Sequence, residues 1–138
     1  MPTTTLVPYL NFPGNTREAM EFYQSVFGGK LDVITFADFH VDGMPPEGTM
    51  HAYLRADGFN IAASDAMPGA ETTWGGTRVY LAFMTEDEGI LPWFDALAEG
   101  GSVSQPLEQQ AWGASYGLVT DRFGLEWMFN VGPGNAEG

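Results

Sequence analysis

Along this chain the spacing of apolar residues switches between a strand period and a helix period, and the switches come in the same order twice. Leu6 to Phe12 reads as a strand, and Pro13-Gly14-Asn15 breaks it and offers Asn15 as a helix cap. Ala19, Met20, Phe22, Tyr23, Val26 and Phe27 then recur at helical spacing, up to a stop at Gly28-Gly29. Leu31 to Phe39 predicts a strand, and the prolines and glycines between Asp42 and Gly48 predict a loop. Met50 to Ala56 alternates strictly, with Met50, Ala52, Leu54 and Ala56 on one face and His51, Tyr53 and Arg55 on the other. Asp57-Gly58 is a hairpin turn leading into a strand from Phe59 to Asp65.

The second half repeats this plan. Thr77 to Met84 predicts a strand, and Glu86, Asp87 and Glu88 form an acidic first turn of a helix containing Leu91, Trp93, Phe94, Leu97 and Ala98, with Pro92 near its start. After Gly100-Gly101 come strands at Val103 to Gln110, Tyr116 to Thr120 and Leu125 to Val131. In the last, Leu125, Trp127, Phe129 and Val131 make an apolar face, and Glu126, Met128 and Asn130 point the other way. Tyr9 and Tyr80 are 71 residues apart and Gly29 and Gly101 are 72 apart. Half a chain is too long for a solenoid period, so the pattern predicts two fused copies of one βαβββ module. The expected class is α+β, with module one over about 6–66, a linker over about 67–76, module two over about 77–131 and a tail over 132–138, in one domain.

Composition narrows the partners. Five Lys and Arg against 18 Asp and Glu give a net charge of −13, which repels nucleic acid and anionic membrane surfaces. With no cysteine there is no disulfide, thiolate metal site or Cys nucleophile. No apolar run reaches the ~18 residues of a membrane span, and Met1 to Thr5 lacks the basic-then-apolar pattern of a signal peptide, so a cytoplasmic location is expected.

Pro8-Tyr9-Leu10-Asn11-Phe12, Glu21-Phe22-Tyr23, Phe27-Gly28-Gly29, Met50-His51-Ala52, Ala63-Ser64-Asp65, Trp112-Gly113 and the run from Asp121 to Asn130 resemble the PhnB-like branch of the vicinal oxygen chelate superfamily. That superfamily also holds glyoxalase I, bleomycin-resistance and fosfomycin-resistance proteins and extradiol dioxygenases. The resemblance implies sheets curled around a concave cavity, with the helices outside. It also implies that a metal-dependent member would carry a His, Gln or Glu ligand on the first and last strand of each module. Here those positions fall on Val7 or Pro8, Ala62, Arg78 or Val79, and Met128, none of which is an ordinary divalent-metal ligand. Neither metal nor cofactor is therefore expected. A relocated site would need His51 and Glu126, with Asp38 or His40, and two ligands fall short of the usual three.

The side chains expected to face the cavity are Tyr9, Asn11, His51, Tyr53, Arg55, Asn60, Ser64, Tyr80, Glu126, Met128 and Asn130. Tyr9, Tyr53, Ser64, Tyr80, Trp112, Met128 and Asn130 are the expected ligand contacts, an aromatic and polar mixture suited to a small aromatic or amphipathic molecule. If the site is catalytic, Glu126 and His51 are its proton-transfer candidates; the competing reading pairs Glu126 with Arg55 or Arg78. Trp93 and Trp127 fit the core, whereas Trp74 and Trp112 fit a rim or lid. Gly113-Ala114-Ser115-Tyr116-Gly117 matches a nucleophile elbow in letters only, since a strand follows it and both histidines precede it. A metal-free binding protein that forms a homodimer is the leading expectation, and a glyoxalase-type lyase, isomerase or transferase the alternative.

Overall fold

The computed structural model describes residues 6–40, 43–66 and 80–133. The chain divides into two compact units, Met1–Thr73 and Trp74–Gly138. The predicted linker, with Trp74, and positions 78 and 79 lie outside the described residues.

Unit one contains β1 (Tyr9–Phe12), α1 (Thr16–Phe27), β2 (Lys30–Thr35), a 3-10 turn (Ala37–Phe39), β3 (Thr49–Ala56) and β4 (Phe59–Asp65). Its sheet has the order β1-β4-β3-β2, with β1 parallel to β4 and the other pairs antiparallel. Unit two contains β5 (Leu81–Thr85), a 3-10 turn (Glu88–Ile90) leading into α2 (Leu91–Ala98), β6 (Ser102–Gln109), β7 (Ser115–Thr120) and β8 (Glu126–Val131). Its order, β5-β8-β7-β6, is the same topology again, with β5 parallel to β8. The α+β class and the tandem βαβββ modules are as the periodicity predicts.

Alternation decides which face of each sheet is covered. Leu10, Phe12, Ala52, Leu54, Ile61 and Ala63 are buried on the side of α1, whose Ala19, Met20, Tyr23 and Phe27 are buried in turn. Each large side chain so buried contributes about 1.5–3 kcal/mol. In unit two Phe83 stacks on Trp127 at 5.6 Å, and Phe94 of α2 meets Phe129 edge-on at 5.4 Å. The remaining residues of each strand stand on the opposite, helix-free face.

The glycine pairs show the repeat at backbone level. Gly28 (φ 77°) and Gly100 (φ 79°) take the positive φ that favours glycine just beyond the two helices. The second glycine of each pair packs against the hairpin of its own unit. A Cβ on Gly29 would overlap the Arg55 carbonyl oxygen, and one on Gly101 the Thr120 carbonyl oxygen.

Three details depart from the periodicity. β1 begins at Tyr9, not Leu6, although the Pro8 carbonyl still accepts the Ala62 N–H at 3.0 Å. β2 stops at Thr35, because the Asp38 carboxylate accepts the Thr35 N–H (2.8 Å) and the Thr35 hydroxyl accepts the Asp38 N–H (3.2 Å), local bonds that replace the ladder. The Thr35 N–H, then its hydroxyl, and more weakly Arg17 hold the Asp38 carboxyl below its usual 3.8. Asn15 occupies the cap position of α1 without a side-chain cap bond. Asp65 at the end of β4 serves instead: its Oδ1 accepts the Thr16 hydroxyl (2.6 Å) and N–H (3.3 Å), and its Oδ2 accepts the Thr49 N–H (2.9 Å).

Candidate functional site

Register places a connected group on the helix-free face of unit one. Tyr9 pairs with Ala62, Ala62 with Tyr53 and Tyr53 with Asp32, forming one row across the four strands. Asn11 and Ser64 lie one step along, with His51 and Ile34, and Lys30, Arg55 and Asn60 one step the other way.

The side chains of this face touch. The Tyr9 hydroxyl lies 3.2 Å from Nδ1 of His51, and the two rings stack at 5.9 Å. His51 and Tyr53 follow at 6.0 Å, and the Arg55 guanidinium sits 4.5 Å from the centre of the Tyr53 ring. Arg55 Nη1 donates to Asp32 Oδ2 at 2.7 Å, and the Ser64 hydroxyl donates to Asn11 Oδ1 at 3.4 Å. Tyr9 and His51 stand on strands separated by β4, about 9.6 Å apart at two strand spacings. Their meeting requires short side chains on the strand between, and Ala62 and Ser64 provide them. When the tyrosine donates to Nδ1, the neutral imidazole keeps its proton on Nε2.

Unit two carries a different surface on its helix-free face. Register aligns Ala82, Met128 and Leu118 in one row and Met84, Asn130 and Tyr116 in the next. Glu126 lies opposite Thr120 at the start of β8, and Tyr80 precedes β5 by one residue at the same level. Trp112, 59% exposed, meets Tyr116 edge-on at 6.2 Å. Thioethers and rings dominate, with Glu126 half-buried among them.

The structure thus brings Tyr9, His51 and Tyr53 into contact, and sets Ser64 with Asn11 on the same face. It sets Met128, Asn130, Glu126 and Tyr80 on the face of the second sheet, with Trp112 beside Tyr116. Arg55 is engaged by Asp32 of its own sheet. Trp127 is buried, and Ser115 opens β7 where a nucleophile elbow would need a helix to follow. The sequence reading missed Lys30, Asp32 and Ile34, which follow from pairing β2 against β3. Within unit two a groove of about 560 Å³ between α2 and β6 is lined by Leu91, Pro92, Phe94, Asp95, Val103, Pro106 and Leu107.

The repeat also tests the fit of the metal that the family resemblance suggests. Asn11 pairs with Ser64 as Ala82 pairs with Met128, so Ser64 is the counterpart of Met128 and Glu126 that of Ala62. One carboxylate, a hydroxyl, a thioether and a methyl are not a divalent-metal donor set. Among the described residues no three His, Asp or Glu side chains converge as a metal site.

Two βαβββ modules of identical topology, each with a helix-free face bearing rings and polar groups, define a vicinal-oxygen-chelate type of fold. The chain belongs to the Glyoxalase/Bleomycin resistance protein/Dioxygenase superfamily, whose model matches residues 6–129. Protein YjdN of Escherichia coli (strain K12) is 34% identical over 139 aligned positions, covering 91% of this chain and 94% of that protein. Among solved structures, protein PA1353 from Pseudomonas aeruginosa is 37% identical with a TM-score of 0.76, over 94% of this chain and 98% of that one. The fosfomycin resistance protein FosX from Listeria monocytogenes shares the fold at a TM-score of 0.67, with 12% identity over 96% of this chain and 95% of its own.

Proposed function

We propose that the protein binds a small aromatic or amphipathic molecule on the helix-free faces, without a metal or other cofactor. The observation that carries this reading is the contiguous row of Tyr9, His51, Tyr53 and Arg55, whose rings offer a planar ligand about 0.5–1.5 kcal/mol per ring pair beyond its buried area. The methionines and rings of the second sheet, Met84, Met128, Tyr116 and Trp112, support it as an adaptable apolar surface. Tyr80, Ser64 and Asn130 are the polar and aromatic contacts this reading adds. A cytoplasmic homodimer is part of the same proposal; β1, β2, β5 and β6 are the outermost strands of their sheets, and a sheet edge is where a second copy can pair.

Titration with 2-naphthol, followed by the aromatic NMR signals of the protein, tests the reading. Saturable shifts at Tyr9, His51 and Tyr53, weakened at least severalfold by Tyr53→Ala in a protein of unchanged fold, are expected; no saturable shift at these rings would overturn it. The hydrogen bond between Tyr9 and His51 favours a second reading, a glyoxalase-type lyase, isomerase or transferase with His51 or Glu126 moving a proton. Under that reading Glu126→Gln abolishes turnover while binding and melting temperature stay near those of the wild type.

A further inference from the structure

We infer that the ligand of the unit-one face is an aromatic anion, a planar ring bearing a carboxylate that Arg55 and Lys30 receive; the inference rests on the binding reading above. The chain holds five Lys and Arg against 18 Asp and Glu. Two of those five, Lys30 and Arg55, are directly paired across β2 and β3 on this one face. One of the 18, Asp32, stands with them at the strand positions of this face. In a chain of net charge −13 this is a local reversal of sign.

The guanidinium is held ready. Asp32 takes Nη1 at 2.7 Å and the Tyr53 ring lies 4.5 Å from the guanidinium carbon, two contacts that hold the group over the face. A guanidinium has five N–H donors, and this ion pair uses one of them. Planarity matters here, because a guanidinium presents paired donors in the geometry of a carboxylate, which an ammonium does not. The neighbouring rings of Tyr53, His51 and Tyr9 then form the surface on which the ring of the ligand lies. When Tyr9 donates to Nδ1 of His51, the ring's Nε2–H adds one more donor to the face. Donors for an anion therefore outnumber acceptors for a cation.

The overall negative charge does not defeat this arrangement. At physiological ionic strength charges farther than about 8 Å are largely screened, so the groups in contact set the local preference. A polyanion such as nucleic acid, spanning the acidic surroundings, stays excluded, whereas one carboxylate fits the patch.

Three probes sharing a ring and differing in charge test the inference on the full chain: 2-naphthoate, 2-naphthamide and 2-naphthylmethylamine, titrated by NMR with the Arg55 side-chain N–H observed directly. The expected result is naphthoate binding about tenfold tighter than the amide, the equivalent of one charge-assisted hydrogen bond. That preference should fall with added salt and disappear in Arg55→Gln. Should Arg55→Gln lose its folded spectrum, Lys30→Gln, at the exposed edge of the sheet, must lower the preference severalfold; an unchanged preference there overturns the inference. Equal affinity for all three probes, or tighter binding of the amine, overturns the anion while leaving the aromatic reading intact. Absence of saturable shifts with every probe overturns both.

Discussion

Asp121 is the carboxylate whose removal should cost unit two most. It is 3% exposed, and its Oδ1 accepts the Phe123 N–H (2.8 Å) and the Leu125 N–H (3.2 Å) while Oδ2 accepts the Trp127 indole N–H (2.8 Å). Hydrogen bonds to a charged acceptor are worth about 1.5–3 kcal/mol each, but returning a buried carboxylate to water recovers part of the sum. The Phe123 amide is only part-buried and can take water in its place. Asp121→Ala should therefore destabilise by about 3–5 kcal/mol. Asp121→Asn retains an acceptor for the turn but sets an amide N–H₂ against the indole N–H, for a loss of about 1.5–3 kcal/mol. Urea denaturation measures both, because a slope of about 1–3 kcal/mol per molar turns such losses into midpoint shifts on the order of a molar. Hydrogen exchange at the Trp127 indole reports the third bond separately. An Asp121→Asn protein within about 0.5 kcal/mol of wild type, its indole proton still protected, would refute the role of the carboxylate as a triple acceptor.

Gly101→Ala should destabilise by about 1–3 kcal/mol in urea, because its Cβ meets the Thr120 carbonyl; Gly14→Ala, in open space at φ 103°, should lose only about 1 kcal/mol. Asp38 should titrate below 3.8 by carboxyl NMR. Since its folded value is depressed, its stabilising contribution is present above the unfolded value and is lost as pH falls through the folded one, a loss that Asp38→Asn should remove. Tyr9→Phe should leave stability within about 1 kcal/mol and change the ¹⁵N shifts of His51 as Nδ1 loses its hydroxyl partner; unchanged shifts would show that the hydroxyl does not set the tautomer.

The fold was legible because β1, β3, β5 and β8 alternate and α1 keeps its 3.6 period, so the βαβββ order and both helix-free faces follow from Tyr9-Leu10-Asn11-Phe12 and its echo at Tyr80. The end of β2 was not, because Thr35 and Asp38 satisfy each other locally, and periodicity carries no record of side-chain bonds to backbone. Nor was the helix cap: Asn15 has the right residue type, but the acceptor comes from Asp65, 49 positions from Thr16 in sequence. Ser64 and Asp65, adjacent in a motif, divide between the two sides of the sheet, one beside Asn11 and the other securing α1. The contact of Tyr9 with His51 was hidden for a related reason. Alternation names the face of a residue, whereas reach across an intervening strand depends on how short its neighbours are.

That dependence gives position 62 a historical meaning. A methyl group there lets the Tyr9 ring cross to His51, and a His or Glu in its place would occupy the same space. The Tyr9–His51 face and a face with a ligating side chain at 62 are then alternative occupants of one volume, and a lineage passing between them must change both Tyr9 and Ala62. The order of the two substitutions matters: shortening Tyr9 first leaves a tolerable gap, whereas enlarging Ala62 first forces a clash. The two positions should therefore vary as a pair among descendants of a common ancestor, with one sequence of events open to selection and the other closed.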